Sequence, residues 1–231
     1  MRIDIWSDIV CPWCAVGKAH LDAALAEFPH ADDVQIVWRS FELDPGAPPS
    51  REGDYAELLA RKYGTSRTGA QAMIDTMTAR AAAVGLTFRF DIAKPGNSFD
   101  AQRLVHLGAA RGLQSAVKER FLRAYLGEGA AISDRRTLAA LAVEAGLDAA
   151  EVAQVLDSDA YAEDVRRDEA EAMRLHITGV PFFLLGGRYA VPGAQPPTVL
   201  LDALHRAYAD TPRLVTLTSG GTVCGPDGCA V

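Results

Sequence analysis

The chain has 231 residues, 49% hydrophobic and 23% charged, with a formal net charge of −7. That balance supplies a sizeable core without disulfide staples, and an acidic chain with no Lys/Arg block or basic face excludes nucleic-acid binding through phosphates. No stretch approaches the roughly 18 uncharged apolar residues of a membrane span, so no membrane partner is expected. In chain order, residues 3–7 alternate apolar and polar types and read as a short first strand. Cys11-Pro12-Trp13-Cys14 then opens a helix that runs to about Phe28, with Val16, Ala19, Ala23 and Ala24 on one side and Pro29 ending it. Residues 34–41, rich in β-branched and aromatic types, form the second strand.

Asp44-Pro45-Gly46-Ala47-Pro48-Pro49 breaks this β-α-β pattern and marks a domain boundary. Helices are predicted over 55–63, 68–84, 98–111, 113–126, 135–145 and 149–156, with Gly85, Gly112, Gly127, Gly129 and Gly146 at or past helix ends. Ser133 or Asp134 caps the helix that begins near Arg135. A helix over 161–176 follows, then two short strands over 182–185 and 188–191 joined by Gly186-Gly187, and a last helix over 197–208. The outer segments, 1–45 and 160–210, are each too short to bury a core and are expected to come together as one discontinuous domain, with 46–159 inserted as a helical domain. Residues 211–231 form a tail carrying Cys-x4-Cys.

The four cysteines are Cys11, Cys14, Cys224 and Cys229. The N-terminal Met1-Arg2-Ile3-Asp4-Ile5-Trp6 lacks an apolar signal core, which predicts a cytoplasmic protein. In that compartment close cysteine pairs are more often catalytic or metal-binding than structural. Proline is favoured at the first helical position, which makes Cys11 the N-cap, with the free N–H groups of Trp13 and Cys14 and the helix dipole directed at its sulfur. The Cys11 pKa is therefore expected below the free value of ~8.5. Cys14, one turn in, is placed to close a disulfide and resolve a mixed one. Trp13 offers no imidazolium to steady a thiolate, so a milder oxidant than one at ~−120 mV is expected; it is also placed beside the sulfur as an apolar contact for substrate. The competing reading is a zinc site completed by Cys224 and Cys229, but Pro12 and the β-α-β context favour redox chemistry and no metal. None of His20, His30, His106, His176 and His205 is paired at metal spacing. Trp6, Trp38 and Phe41 read as core, and Met73, Met77 and Leu86 read equally as core or as groove lining. No Walker loop or Gly-x-Gly-x-x-Gly occurs, and no tightly bound cofactor is expected.

Five segments together carry a resemblance: Ser7-Asp8-Ile9-Val10-Cys11-Pro12-Trp13-Cys14, Phe41-Glu42-Leu43, Asn97-Ser98, Thr178-Gly179-Val180-Pro181-Phe182-Phe183 and Val191-Pro192-Gly193-Ala194-Gln195-Pro196. Over nearly the whole length the chain resembles the DsbA-like thioredoxin superfamily, and within it the FrnE-type disulfide oxidoreductases or isomerases. The resemblance implies an α/β, thioredoxin-like fold with a large inserted all-helical domain that covers the active-site face. It implies that Pro181 is the cis-proline facing Cys11, with the Val180 backbone pairing with an extended substrate segment. It implies oxidation, reduction or isomerisation of protein disulfides, with Cys11 attacking, Cys14 resolving, and Pro12, Trp13, Val180 and Pro181 binding substrate. Glutathione or another thiol reductant is the implied co-substrate. FrnE-like proteins also carry a C-terminal Cys-x4-Cys, which makes Cys224 and Cys229 either an auxiliary redox pair or a disulfide that pins the tail. Pro192 departs from the small residue more usual in this family. Glutathione-dependent relatives, the 2-hydroxychromene-2-carboxylate isomerases and kappa-class transferases, are similar at the β-α-β start but have serine where Cys11 stands and lack Cys14. They supply the competing small-molecule reading, kept open by Asn97 and Ser98, and a peptide-binding chaperone module is a third.

Overall fold

A computed structural model of the chain describes residues 1–51 and 53–211, and beyond them the backbone of 224–225 and 228–229. β1 (Arg2–Ser7), α1 (Pro12–Glu27) and β2 (Gln35–Ser40) form the expected β-α-β start, with a single 3-10 turn, Ala31–Asp33, before β2. Six helices follow: α2 (Tyr55–Tyr63), α3 (Arg67–Ala82), α4 (Phe99–Ala110), α5 (Gln114–Glu128), α6 (Arg135–Glu144) and α7 (Ala149–Leu156). α8 (Ala162–Arg174), β3 (Phe182–Leu185), β4 (Tyr189–Pro192) and α9 (Pro197–Ala209) complete the fold, and two two-residue strands, β5 (Cys224–Gly225) and β6 (Gly228–Cys229), pair in the tail.

The outer segments do meet. The four-stranded sheet has the order β2-β1-β3-β4, with β1 parallel to β2 and antiparallel to β3. Ile3 lies opposite Leu185 and Ile5 opposite Phe183. Strand residues alternate between faces, so these four share one face, and all are 1% exposed or less. α1 and α9 pack over that face through Val16, Leu21, Leu200 and Leu204. On the other face Trp6 packs with Ala172 and Ile177, and its Nε1 donates to the Asp168 carbonyl at 3.0 Å. Gly186 and Gly187 both take positive φ, 60° and 68°, which a two-residue hairpin between right-twisted strands requires.

The helical block shares its core with the sheet: Leu104, Phe121 and Tyr125 belong to the same buried cluster as Ile3 and Phe183. Polar ties fix it in register. The Gln114 side chain accepts from Trp38 N–H at 3.0 Å and donates to Trp38 O at 2.9 Å, taking the place of a neighbouring strand along β2. Gln102 Nε2 donates to Ser7 O at 3.0 Å and to Phe41 O at 3.1 Å. Asp134, one of the two anticipated caps, accepts from Thr137 N–H. Among the described residues no helix is long and apolar enough to cross a membrane.

α1 can approach β3 closely because residue 17 is glycine. A Cβ there would lie 2.8 Å from Pro181 Cγ and 3.3 Å from Phe183 Cζ. Gly17→Ala is therefore expected to destabilise the protein by about 1–3 kcal/mol, read as a lower urea midpoint with unchanged slope.

Candidate active site

β1 ends at Ser7, and the next residues turn the chain into α1. Cys11 N–H donates to Asp8 O at 3.4 Å, while the Asp8 carboxylate accepts from Val10 N–H at 3.4 Å and Leu43 N–H at 2.8 Å. Cys11 is the extended N-cap (φ −93°, ψ 110°) and Pro12 the first helical residue, as the sequence requires. Cys14 N–H donates to the Cys11 carbonyl at 3.1 Å rather than forming a full cap to the sulfur, though the same amide still favours the Cys11 thiolate. The Cys11 thiol donates to Val180 O at 3.5 Å. The Val180–Pro181 peptide bond is cis, and Pro181 O accepts from Gly193 N–H at 2.8 Å. Cys11 and Cys14 are free thiols, 3% and 1% exposed, and Trp13 beside them is 37% exposed.

The electrostatics correct the sequence expectation for Cys11. Burial pushes its thiol well above the ordinary value, reinforced by the adjacent Cys14 and by the Asp8 charge. The lowered thiol of the pair is Cys14. Burial raises it too, but the Cys11 thiol, the Ser7 hydroxyl and the Lys118 charge together outweigh burial. Reasoning from the helix terminus alone counted the dipole and left out the helical block, which removes water from Cys11 and brings a cation to the Cys14 side. The two sulfurs titrate together rather than as independent thiols, and the charge of one raises the cost of charging the other.

Two buried ionisable groups complete the unit. Burial raises the Asp8 carboxyl above its ordinary value despite its hydrogen bonds and the Lys118 charge. Lys118, with no solvent exposure, is lowered to about 8 by burial, against the pull of Cys14, Asp8 and Cys11. Its Nζ donates to Ser7 O at 3.0 Å. Neither group was assigned a role from sequence. The signal for Lys118 was present: it stands on the stripe 118, 121, 122, 125 with Phe121, Leu122 and Tyr125, where a lysine is out of place.

A cavity of about 550 Å³ opens over Cys11. Cys11, Pro12, Trp13 and Val180 line it with Asp8, while α2 and α3 contribute Tyr55, Leu59, Met73 and Met77. Cys14 and Pro181 do not line it, and Leu86 packs against the core elsewhere. Ser98 reaches the cavity, but Asn97 is committed to another cluster: it donates to Glu42 Oε1 at 3.4 Å and accepts from Phe99 N–H at 2.8 Å. Arg166 bridges Glu42 at 2.7 Å and Glu169 at 2.6 Å and stacks 4.3 Å from the Phe99 ring centre. Burial, against the favourable Arg166 contact, raises the Glu42 carboxyl to about 7. The side chains of Cys224 and Cys229 lie outside the described residues; their backbones face each other across the β5–β6 pair. The four-cysteine zinc alternative rests on them. Among the described residues, no three His, Cys, Asp or Glu side chains converge as a metal site would need.

Residues 2–205 match the family described as the DSBA-like thioredoxin domain. The fold superposes on the probable DsbA oxidoreductase SCO1869 of Streptomyces coelicolor with a TM-score of 0.88, at 47% identity over 100% of this chain and 99% of that one. A 2-hydroxychromene-2-carboxylate isomerase shares the fold with a TM-score of 0.66, at 19% identity over 89% of this chain and 95% of that one. So does the cytosolic disulfide reductase DsbM of Pseudomonas aeruginosa, solved with GSH, with a TM-score of 0.62, at 19% identity over 90% of this chain and 100% of that one.

Replacing Lys118 with methionine removes the cation that favours a thiolate while keeping the volume. The first apparent pKa of the Cys11–Cys14 pair is expected to rise by about one unit, followed through ultraviolet thiolate absorbance against pH. Glu42 gives a separate signature. An acid whose folded pKa is raised holds its proton more tightly folded than unfolded, so stability is lost as pH rises from about 4.3 through about 7. Denaturation midpoints should fall across that window, with a slope of up to about 1.4 kcal/mol per pH unit, and Glu42→Gln should flatten it.

Proposed function

This chain belongs to the DSBA-like thioredoxin-domain family, and on that footing we propose that it is a thiol–disulfide oxidoreductase whose redox couple is Cys11–Cys14. The observation that carries the reading is the pair of free thiols at the start of α1, with Cys11 on the cavity side and Cys14 behind it. A reactive thiol must be reachable and its partner protected, and this arrangement separates the two roles.

Cys11 attacks one sulfur of a substrate disulfide, the other substrate sulfur leaves as a thiolate and takes a proton, and a mixed disulfide remains on Cys11. Cys14 then attacks the Cys11 sulfur, closes the Cys11–Cys14 bridge and releases the second substrate thiol. Run in reverse, the same steps oxidise a dithiol. Lys118 and Asp8 hold charge and proton beside Cys14, where the resolving thiolate has to form. Disulfides of proteins are the substrates this reading assigns, approached through Trp13, Pro12 and the Val180–Pro181 segment. A thiol reductant such as glutathione would recycle the couple, in keeping with the GSH-bound DsbM structure, and the cytoplasm is the proposed site of action. Cys224 and Cys229 are proposed as an auxiliary pair that exchanges with the first. The presence of both thiols and the commitment of Asn97 to Glu42 favour exchange over a glutathione-dependent isomerisation.

Thiol trapping with mass mapping tests the assignment. Cys11→Ser should reduce disulfide exchange to the uncatalysed rate, and Cys14→Ser should leave substrate covalently held at residue 11. A glutathione redox titration of the full chain should show a reversible Cys11–Cys14 bridge at a potential more negative than about −120 mV. Absence of a reversible bridge sinks the proposal.

A further inference from the structure

The exchange chemistry proposed above fixes what happens at Cys11 but leaves open what fits over it. We infer that the cavity over Cys11 is a binding site for a low-molecular-weight apolar thiol or disulfide, a substrate that reacts without any movement of the helical block. The inference rests on the Cys11–Cys14 reading and adds a substrate class to it.

Three observations carry it. First, Cys11 is only 3% exposed, so a partner must enter the cavity to reach its sulfur. Second, about 550 Å³ is the volume of a site for a small organic molecule. Third, the lining is predominantly apolar, with Val10, Leu58, Leu59, Met73 and Met77 around the sulfur. Its charges do not form an anion site. Arg51 is paired with Asp44, which leaves Lys62 as the lining cation with no carboxylate partner among the described residues. A thiol bearing two carboxylates would bury more charge here than the lining answers, whereas an aryl or alkyl group buries none. Apolar burial then supplies the affinity, which no directed polar contact is needed to explain.

The reaction balances as R–S–S–R plus the dithiol protein giving two R–SH and the Cys11–Cys14 disulfide. The S–S bond of the substrate breaks, that of the protein forms, and the two cysteine protons end on the departing thiols. A dithiol reductant in solution returns the protein to its starting state.

The test uses the full chain with dithiothreitol as reductant and four substrates: dibenzyl disulfide, bis(2-hydroxyethyl) disulfide, oxidised glutathione and insulin. Each rate is divided by that of dithiothreitol alone on the same disulfide, which removes intrinsic reactivity. Dibenzyl disulfide is expected to exceed the other three by about tenfold or more, a modest part of what burying an aromatic ring contributes. In Leu59→Trp and in Met73→Trp, each filling the cavity from a different helix, the ratio of the dibenzyl to the hydroxyethyl rate should collapse toward one. Equal normalised rates in the unmodified protein, or a lead for oxidised glutathione or insulin, overturn the inference and leave the exchange reading standing. No turnover of any disulfide together with no reversible Cys11–Cys14 bridge overturns both.

Discussion

A lysine with no solvent exposure sits at the end of the first strand, and the arrangement of the active-site region follows from how its charge is answered. Taking an ammonium group out of water costs several kcal/mol unless other groups replace its hydration. Here the Ser7 carbonyl takes a hydrogen bond at 3.0 Å, Asp8 and Cys14 supply negative potential, and the Trp38 ring centre lies 5.7 Å away. Those groups come from β1, the turn before α1, α1 itself and β2, while the lysine comes from α5. Lifting the helical block would therefore strand a cation on one side and an unanswered strand end on the other. Gln102 and Gln114 add to the same seam. The block and the thiol pair are thus one electrostatic unit, and a change in the charge of the thiols is felt by the helix that roofs them.

The opposite face of the sheet carries a second buried charge network that does different work. Asp168 accepts from Arg39 at 2.8 Å, from Ser40 N–H at 2.9 Å and from His106 at 3.2 Å, while Arg39 also reaches Asp4 at 2.7 Å. Burial works against the Asp168 carboxylate, yet His106, the Ser40 amide and Arg39 hold its carboxyl below the usual range. Ser40, His106 and Asp168 have the residue types of a nucleophile–base–acid chain, but the geometry denies it. The Ser40 hydroxyl and the Asp168 carboxylate both approach the same ring nitrogen, Nε2, whereas a relay needs one on each nitrogen. The network instead joins β2 and α8, which flank residues 46–159, to α4 within that segment, and so closes the sheet where the chain returns to it.

Much of this was legible in the sequence because it is local. The strand character of residues 3–7 could be read from their types, and the first and last segments were expected to come together because each is too short to bury a core, but which strands pair was not read. Pro12 announces a helix start and Gly186-Gly187 a hairpin, because both act through their own backbone angles. The site was legible only as far as chemistry travels along the chain. The N-cap position of Cys11 was correct, but its pKa was not, since burial by α2, α3 and Val180 comes from residues far away in sequence. Lys118 lies within a charged run, Lys118-Glu119-Arg120, that looks solvated until its helical stripe is traced. Glu42 could be noticed as part of a strand end, yet its raised carboxyl depends on burial and on Arg166 and Glu169, over a hundred residues later.

The division of charge between the two sulfurs carries the remaining weight. A nucleophile needs its thiolate, yet Cys11 faces the cavity with its thiol pushed up, while the lowered thiol is Cys14 behind it. The proposed exchange answers this conflict through the proximity of the two thiols, whose titrations depend on each other. The pair loses its protons as a unit, and the Lys118 and Asp8 charges bear on how readily the first one leaves. In the proposed exchange, a proton passed from Cys11 to Cys14 delivers the charge to Cys11 without drawing water into the site. Resolution then runs in the opposite direction. On the proposed reading, Cys11 in a mixed disulfide no longer holds the charge, and Cys14, beside Lys118, keeps it where the second attack would begin. Burial lowers the resting reactivity of Cys11, and the same burial confines the charge to the two positions the exchange uses.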